Sequence, residues 1–126
     1  MKLLLAVAAG GALGSLGRYL LSGQMGRLLG LGFPWGTLAV NILGSLAMGL
    51  LVAAMALRWN ASAELRAFLT IGILGGFTTF SAFSLEVVLL LERGQWVPAA
   101  AYVVASVALS VGGLFLGLLL MRQALA

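Results

Sequence analysis

Cysteine and histidine are absent from this chain of 126 residues, and acidic side chains are nearly absent. Without them the chain has no thiolate or imidazole ligands for zinc or iron–sulfur clusters, and it cannot form a disulfide. Its only carboxylates are those of Glu64, Glu86 and Glu92. These absences leave few residues for acid, base or metal chemistry and argue against an enzyme.

Charge is also scarce, because charged residues make up 8% of the chain and hydrophobic residues 63%, with a mean hydropathy of +1.17. A soluble domain usually carries about a quarter of its residues as charged groups, so this composition predicts an integral membrane protein. The net charge is +4. Because the basic residues are spaced singly, they are better explained by membrane topology and anion attraction than by nucleic-acid binding.

Four apolar segments predict an all-α membrane domain over residues 1–126. They span residues 3–21, 33–57, 65–91 and 97–121. The 25 residues of the fourth segment would extend about 37 Å as a helix, which exceeds a hydrocarbon core of about 30 Å. The third segment contains the stretch GILGGFTTFS, whose glycines and threonines predict a helix broken in mid-span.

Basic residues are divided almost equally between the two predicted sides of the membrane. One side holds Lys2, Arg58, Arg66 and Arg122, and the other holds Arg18, Arg27 and Arg93. Since positive charge normally marks the cytoplasmic side, either one residue decides the orientation or the chain inserts both ways and forms an antiparallel dimer. Four helices are also too few to enclose a polar path comfortably, which favours an oligomer.

Small residues four apart predict surfaces where helix backbones approach each other closely. The pairs are Gly10 with Gly14, Gly72 with Gly76, and Gly113 with Gly117.

Two spans each carry a stripe of neutral polar residues at positions i, i+4 and i+8, which share one helix face. The stripes consist of Thr37, Asn41 and Ser45 in the second span and Tyr102, Ser106 and Ser110 in the fourth. These groups either bond to their own i−4 carbonyls or hold helices together, or they line a path. Hydrogen-bond donors without fixed charge suit a small anion that must bind and also leave.

The third span supplies further candidates on both sides of its expected break. Unwound backbone would free carbonyls for a hard cation such as Na⁺, although a plain glycine kink is the alternative. Phe80 and Phe83 lie close to one face and are either packing residues or rings whose positive edges face an anion. Glu86 either pairs with Arg18 or acts as a polar gating element.

Three stretches resemble those of the Fluc (CrcB) family of fluoride channels. They are GGALGSLGRY at residues 10–19, GTLAVNILGS at 36–45 and GILGGFTTFSAFSLE at 72–86. The resemblance implies four-helix subunits in a dual-topology homodimer within a prokaryotic plasma membrane. It implies two pores along the subunit boundary that export cytoplasmic fluoride passively.

The resemblance also implies roles for individual residues. Phe80 and Phe83 would supply ring edges and Asn41 a donor in the pore, with Thr79 nearby. Tyr102, Ser106 and Ser110 would form a polar track. The carbonyls of Gly75 and Thr78 from both subunits would hold a structural Na⁺ that is not transported. Arg18 would add positive potential near a vestibule, and Glu86 would take part in the track.

Two other kinds of membrane protein fit the same size. A small multidrug-resistance-type exporter also has about four spans, but it needs a glutamate in its first span, and the first span here has no acid. A holin-like or other non-transporting assembly would use the polar stripes only to hold helices together.

Overall fold

Four helical spans account for nearly all of the chain in the computed structural model, which describes residues 1–126. The first two spans are α1 (Lys2–Leu29) and α2 (Trp35–Leu57). The third consists of α3 (Ala63–Arg66), a π-helical stretch (Ala67–Leu74), α4 (Gly75–Phe77) and α5 (Phe80–Glu92). The last span is α6 (Trp96–Leu125). All four are long and apolar enough to cross a membrane, as the sequence predicts.

The first helix runs well past its predicted end at residue 21 and stops only where Gly30 adopts a positive φ of 85°. Hydropathy marks where apolar residues end, whereas a helix can continue beyond the hydrocarbon core. Arg18 therefore lies about three turns before the end of α1.

The helices pack as two close pairs. Residues 67–77 lie against α1, and α2 lies against α6. A Cβ atom built on Gly72 would lie 2.8 Å from Cα of Gly10, and one built on Gly117 would lie 3.1 Å from Cα of Gly49. Gly14 and Gly76 also face backbone atoms of the opposite helix. The predicted close approach is therefore confirmed at five of the six glycines, whereas a Cβ on Gly113 would lie at an ordinary distance of 3.5 Å from the Ile42 carbonyl.

The third span is broken, as predicted, and within the predicted stretch the break lies at the two threonines. Gly72, Gly75 and Gly76 remain helical. Thr78 and Thr79 are extended, with φ/ψ of −90°/156° and −152°/122°. The π-helical stretch before the break was not visible in the sequence.

Both α2 and α6 begin at the same end of the molecule, because successive spans cross in alternating directions. Their polar stripes therefore run in parallel, each about 12 Å long over eight residues. A small core lies between α2, α5 and α6 and comprises Leu38, Leu90, Ala99 and Tyr102. This core fixes α5 beside the two striped helices.

Candidate functional site

A groove of about 390 Å³ runs along the outside of the subunit between α2, the break, α5 and α6. Its polar and aromatic lining residues are Asn41, Ser45, Thr78, Thr79, Phe80, Phe83, Ser106 and Ser110. Six of the seven residues predicted for a pore therefore share one surface. The seventh, Tyr102, lies behind Phe83 and is fully buried.

Two serines of α6 that line the groove have unpaired hydroxyl groups. The Oγ atoms of Ser106 and Ser110 are buried and have no hydrogen-bond partner. Other hydroxyls in the spans do bond to their i−4 carbonyls, such as that of Thr78 to Leu74 at 2.9 Å. The alternative in which the two serines bond to their own helix is therefore wrong. Because an unsatisfied buried hydroxyl is costly, these two groups are suited to a ligand.

The rings of Phe80 and Phe83 begin a row of aromatic contacts. Their centroids are 5.4 Å apart with an interplanar angle of 46°, and Phe80 is 78% exposed. The ring centroids of Phe83 and Tyr102 are 5.2 Å apart. Those of Tyr102 and Phe33 are 5.4 Å apart, with the rings edge to face. The row therefore leads from the outer groove toward the end of the molecule where α2 begins.

Asn41 clamps the break in the third span. Its Nδ2 donates to the Thr79 carbonyl at 3.1 Å, and its Oδ1 accepts from the Thr79 amide at 2.8 Å. The predicted pore donor therefore has a structural partner. An amide nitrogen carries two hydrogens, so one remains for a ligand in the groove.

The bonds at Asn41 and at the start of α5 take two amides, those of Thr79 and Ala82, away from the carbonyls of Gly75 and Thr78. In an unbroken helix, Gly75 O would accept from the amide of Thr79 and Thr78 O from that of Ala82. The Thr79 amide instead donates to Asn41, and the Ala82 amide donates to Thr79 Oγ1 at 3.1 Å. Gly75 lies on the exposed surface. Oxygen atoms freed in this way are the ligand type that hard cations prefer.

Arg18 contacts this same region and does not reach Glu86. Its Nε donates to the Gly76 carbonyl at 3.1 Å. Glu86 instead accepts from Thr37 Oγ1 at 3.0 Å and from the Tyr102 hydroxyl at 2.9 Å. The predicted pairing of Arg18 with Glu86 is therefore wrong. We refer to Thr37, Glu86 and Tyr102 as the polar cluster.

The polar cluster and the bond of Arg18 to Gly76 were missed from the sequence. Thr37 and Glu86 are 49 residues apart, and Arg18 and Gly76 are 58 apart. No local spacing pairs such residues. The only available signal was that each polar group inside a span needs a partner.

The fold and the site define a small multi-pass membrane protein. One of its spans is broken, and a groove on its surface is lined by uncharged hydrogen-bond donors. The family model described as "CrcB-like protein, Camphor Resistance (CrcB)" matches residues 5–118. The chain belongs to this family.

Similar bacterial proteins are called fluoride-specific ion channels. One from Rhodospirillum centenum is 59% identical over 126 residues, which is the whole of this chain and the whole of that protein. One from Chelativorans is 57% identical over 122 residues, or 97% of this chain and 98% of its own length. One from Nitrobacter hamburgensis is 56% identical over 119 residues, or 94% of each chain. With its four spans and bacterial relatives, the chain is a multi-pass plasma membrane protein.

Proposed function

We propose that this protein is a fluoride-selective passive channel that lets cytoplasmic fluoride leave the cell down its electrochemical gradient. The observation that carries the proposal is the pair of unpartnered hydroxyls at Ser106 and Ser110, in the same groove as the rings of Phe80 and Phe83. The names of the relatives support fluoride as the ion.

The chemistry of the groove suits a small, strongly hydrated anion. Two serine hydroxyls and the remaining N–H of Asn41 can replace part of the water around fluoride, and a ring edge adds a positive partner without fixed charge. Chloride is larger and fits poorly among closely spaced donors. Since the donors are neutral, the anion is not held so tightly that it cannot leave.

A second copy of the chain would cover the groove, because the unpartnered polar groups along it would be costly to expose to lipid. Phe80, Val107 and Val111 on the groove wall are all exposed in one subunit. An antiparallel partner would place two such grooves along one boundary. Each subunit would then complete the pore of the other.

The freed carbonyls of Gly75 and Thr78 fit a structural Na⁺ at that boundary. An antiparallel partner would add the same two carbonyls and so double the number of ligands. All of the ligands would be oxygen atoms, which suits a hard cation. The carbonyl of Gly76, which lies between these two residues in the sequence, already accepts a hydrogen bond from Arg18. The ion would join the two subunits and take no part in transport.

Export requires no energy coupling in this scheme. Fluoride enters cells as the neutral weak acid and dissociates in the cytoplasm, where the anion is trapped. A membrane potential of about 100 mV, negative inside, favours exit of one negative charge by about 2.3 kcal/mol. A passive pore is sufficient to use this gradient.

The test is fluoride efflux from liposomes that contain the purified protein, driven by a K⁺ gradient with valinomycin and followed with a fluoride electrode. The proposal predicts rapid efflux that needs no proton gradient and only slight chloride efflux. Proton-driven transport of a cationic drug would instead identify an exporter. No flux of either kind would identify an assembly in which the polar stripes only join helices.

A further inference from the structure

A second cavity, of about 260 Å³, lies at the end of the molecule where α2 and α6 begin. Its wall includes Ser22 of α1, Phe33 of the following link, Thr37 of α2, and Glu86 and Arg93 of α5 and its end. We refer to it as the end cavity. Parts of the links at residues 30–34 and 93–95 border it, so it lies at an end of the spans rather than near their middle.

The polar cluster separates the end cavity from the groove. Thr37 and Glu86 line the end cavity, and Asn41, one turn further along α2, lines the groove. One helical turn corresponds to about 5.4 Å. Phe83 and Tyr102 are in contact between the two spaces. An anion that moves along the groove toward this end therefore meets the end cavity next.

Arg93 is the only cation in the wall of the end cavity. Its guanidinium is tied only to its own helix, through Nε to the Leu89 carbonyl at 3.3 Å. The only acid in the wall is Glu86, and both of its oxygen atoms accept hydroxyl donors. Arg93 is exposed and Glu86 is half-buried, so an anion that arrives from solution meets the positive charge before the negative one.

We propose that the end cavity is a mouth of the fluoride path, and that Arg93 is the residue that concentrates anions there. This inference rests on the proposed function and adds to it the place where the fluoride path opens to water. The groove supplies the donors that replace water around the ion. Arg93 supplies the long-range attraction that brings the ion to them.

Ionic strength separates attraction from structure. The Debye length, beyond which salt largely screens a charge, is about 30 Å at 0.01 M salt and only about 3 Å at 1 M. Arg93→Gln should therefore lower fluoride flux about threefold at low ionic strength, set with potassium gluconate, and leave it almost unchanged at high ionic strength. The control is Arg27→Gln, which removes an exposed charge at the same end but outside the cavity wall and should lower flux at low ionic strength much less than Arg93→Gln does. An equal loss at both ionic strengths, or no loss, would overturn the role of Arg93.

The absence of native cysteine allows a second measurement of the same opening. Ser22→Cys places a single thiol in the cavity wall. A negatively charged methanethiosulfonate reagent should lower fluoride flux and a positively charged one should raise it. Modification without a change in flux, or no modification in a conducting channel, would refute the mouth.

The unmodified protein separates the two levels of inference. If it conducts no fluoride, the proposed function fails and this inference fails with it. If it conducts while Arg93→Gln and the modified Ser22→Cys variant behave as the unmodified protein does, only the mouth is refuted.

Discussion

The hydroxyls of Ser106 and Ser110 are the clearest case of residues whose folded environment leaves them unpaired. The sequence placed them on one face of α6 by their spacing, and the structure leaves their Oγ atoms buried without partners. Removing such a group costs no protein hydrogen bond. It does remove a donor to any anion in the groove.

We expect Ser106→Ala and Ser110→Ala each to lower fluoride flux about tenfold, since a hydrogen bond to a charged group contributes about 1.5–3 kcal/mol. Thermal unfolding in detergent should be unchanged or shifted slightly upward. Ser84→Ala is the control, because its hydroxyl is exposed and bonds to the Phe80 carbonyl at 3.0 Å. Full flux in both groove variants would show that the hydroxyls do not contact the ion.

The two phenylalanines of the groove give a second residue-scale prediction. Phe80→Ile and Phe83→Ile keep apolar bulk but remove the positive ring edge, so fluoride flux should fall strongly while dimer assembly stays intact. Phe115→Ile, on an exposed part of α6 outside the groove, should conduct normally. Size-exclusion chromatography combined with light scattering reports assembly. Loss of the dimer in the groove variants would make the rings structural instead.

Residue spacing predicted helix faces well and side-chain partners poorly. The i, i+4, i+8 rule places Asn41 and Ser45 on one face, and both line the groove. Thr37, on the same stripe, turns instead to Glu86, because a carboxylate inside a span attracts the nearest hydroxyl donors. Which donors are nearest depends on how the helices pack, and periodicity does not contain that information.

At the scale of the helices, the break in the third span depends on a residue of another helix. Asn41 satisfies both the amide and the carbonyl of Thr79, which are the backbone groups that an extended segment would leave unpaired. Composition predicted that the span would break. It was not predicted that Asn41 would be the partner that satisfies these backbone groups inside a membrane.

Asn41→Asp should disrupt both the break and the path. The carboxylate keeps the bond from the Thr79 amide but cannot donate to the Thr79 carbonyl, and it places negative charge in the groove. We expect stability to fall by about 1–3 kcal/mol and fluoride flux to fall strongly. Asn60→Asp, on an exposed link, is the control for the added charge. Unchanged efflux would remove Asn41 from the site.

The contact between α1 and the third span gives a test based on adjacent glycines. A Cβ on Gly10 would lie 2.9 Å from Cα of Gly72, whereas one on Gly11 meets nothing within 4 Å. Gly10→Ala should therefore lower stability by about 1–3 kcal/mol through overpacking, and Gly11→Ala should leave it unchanged or raise it. Thermal unfolding followed by size-exclusion chromatography compares the two. Equal effects would mean that α1 is packed differently.

The whole molecule raises the question of orientation. Four basic residues lie toward one end of the spans, and Arg18, Arg27 and Arg93 lie toward the other. The difference of one basic residue gives almost no bias of orientation. An antiparallel dimer still requires that both orientations be made.

Added charge should fix the orientation and expose this requirement. Asn60→Lys with Gln123→Lys increases the existing bias, so this variant alone should insert one way and lose fluoride flux. A second variant, with Gln24→Lys, Gln95→Lys, Arg58→Gln and Arg122→Gln, should insert the other way. Co-expression should restore flux, and labelling of a C-terminal tag on each side of the membrane reports orientation. Full flux from either variant alone would exclude the antiparallel dimer.

The backbone contact between Gly49 and Gly117 also has a consequence at the scale of the bilayer. It prevents α2 and α6 from sliding along each other, because any axial shift would drive a neighbouring side chain into the opposing backbone. The amide on one helix and the hydroxyls on the other therefore keep a constant spacing. In a thicker or thinner lipid environment this pair of helices would tilt as a unit, and the distances that an ion encounters would stay the same.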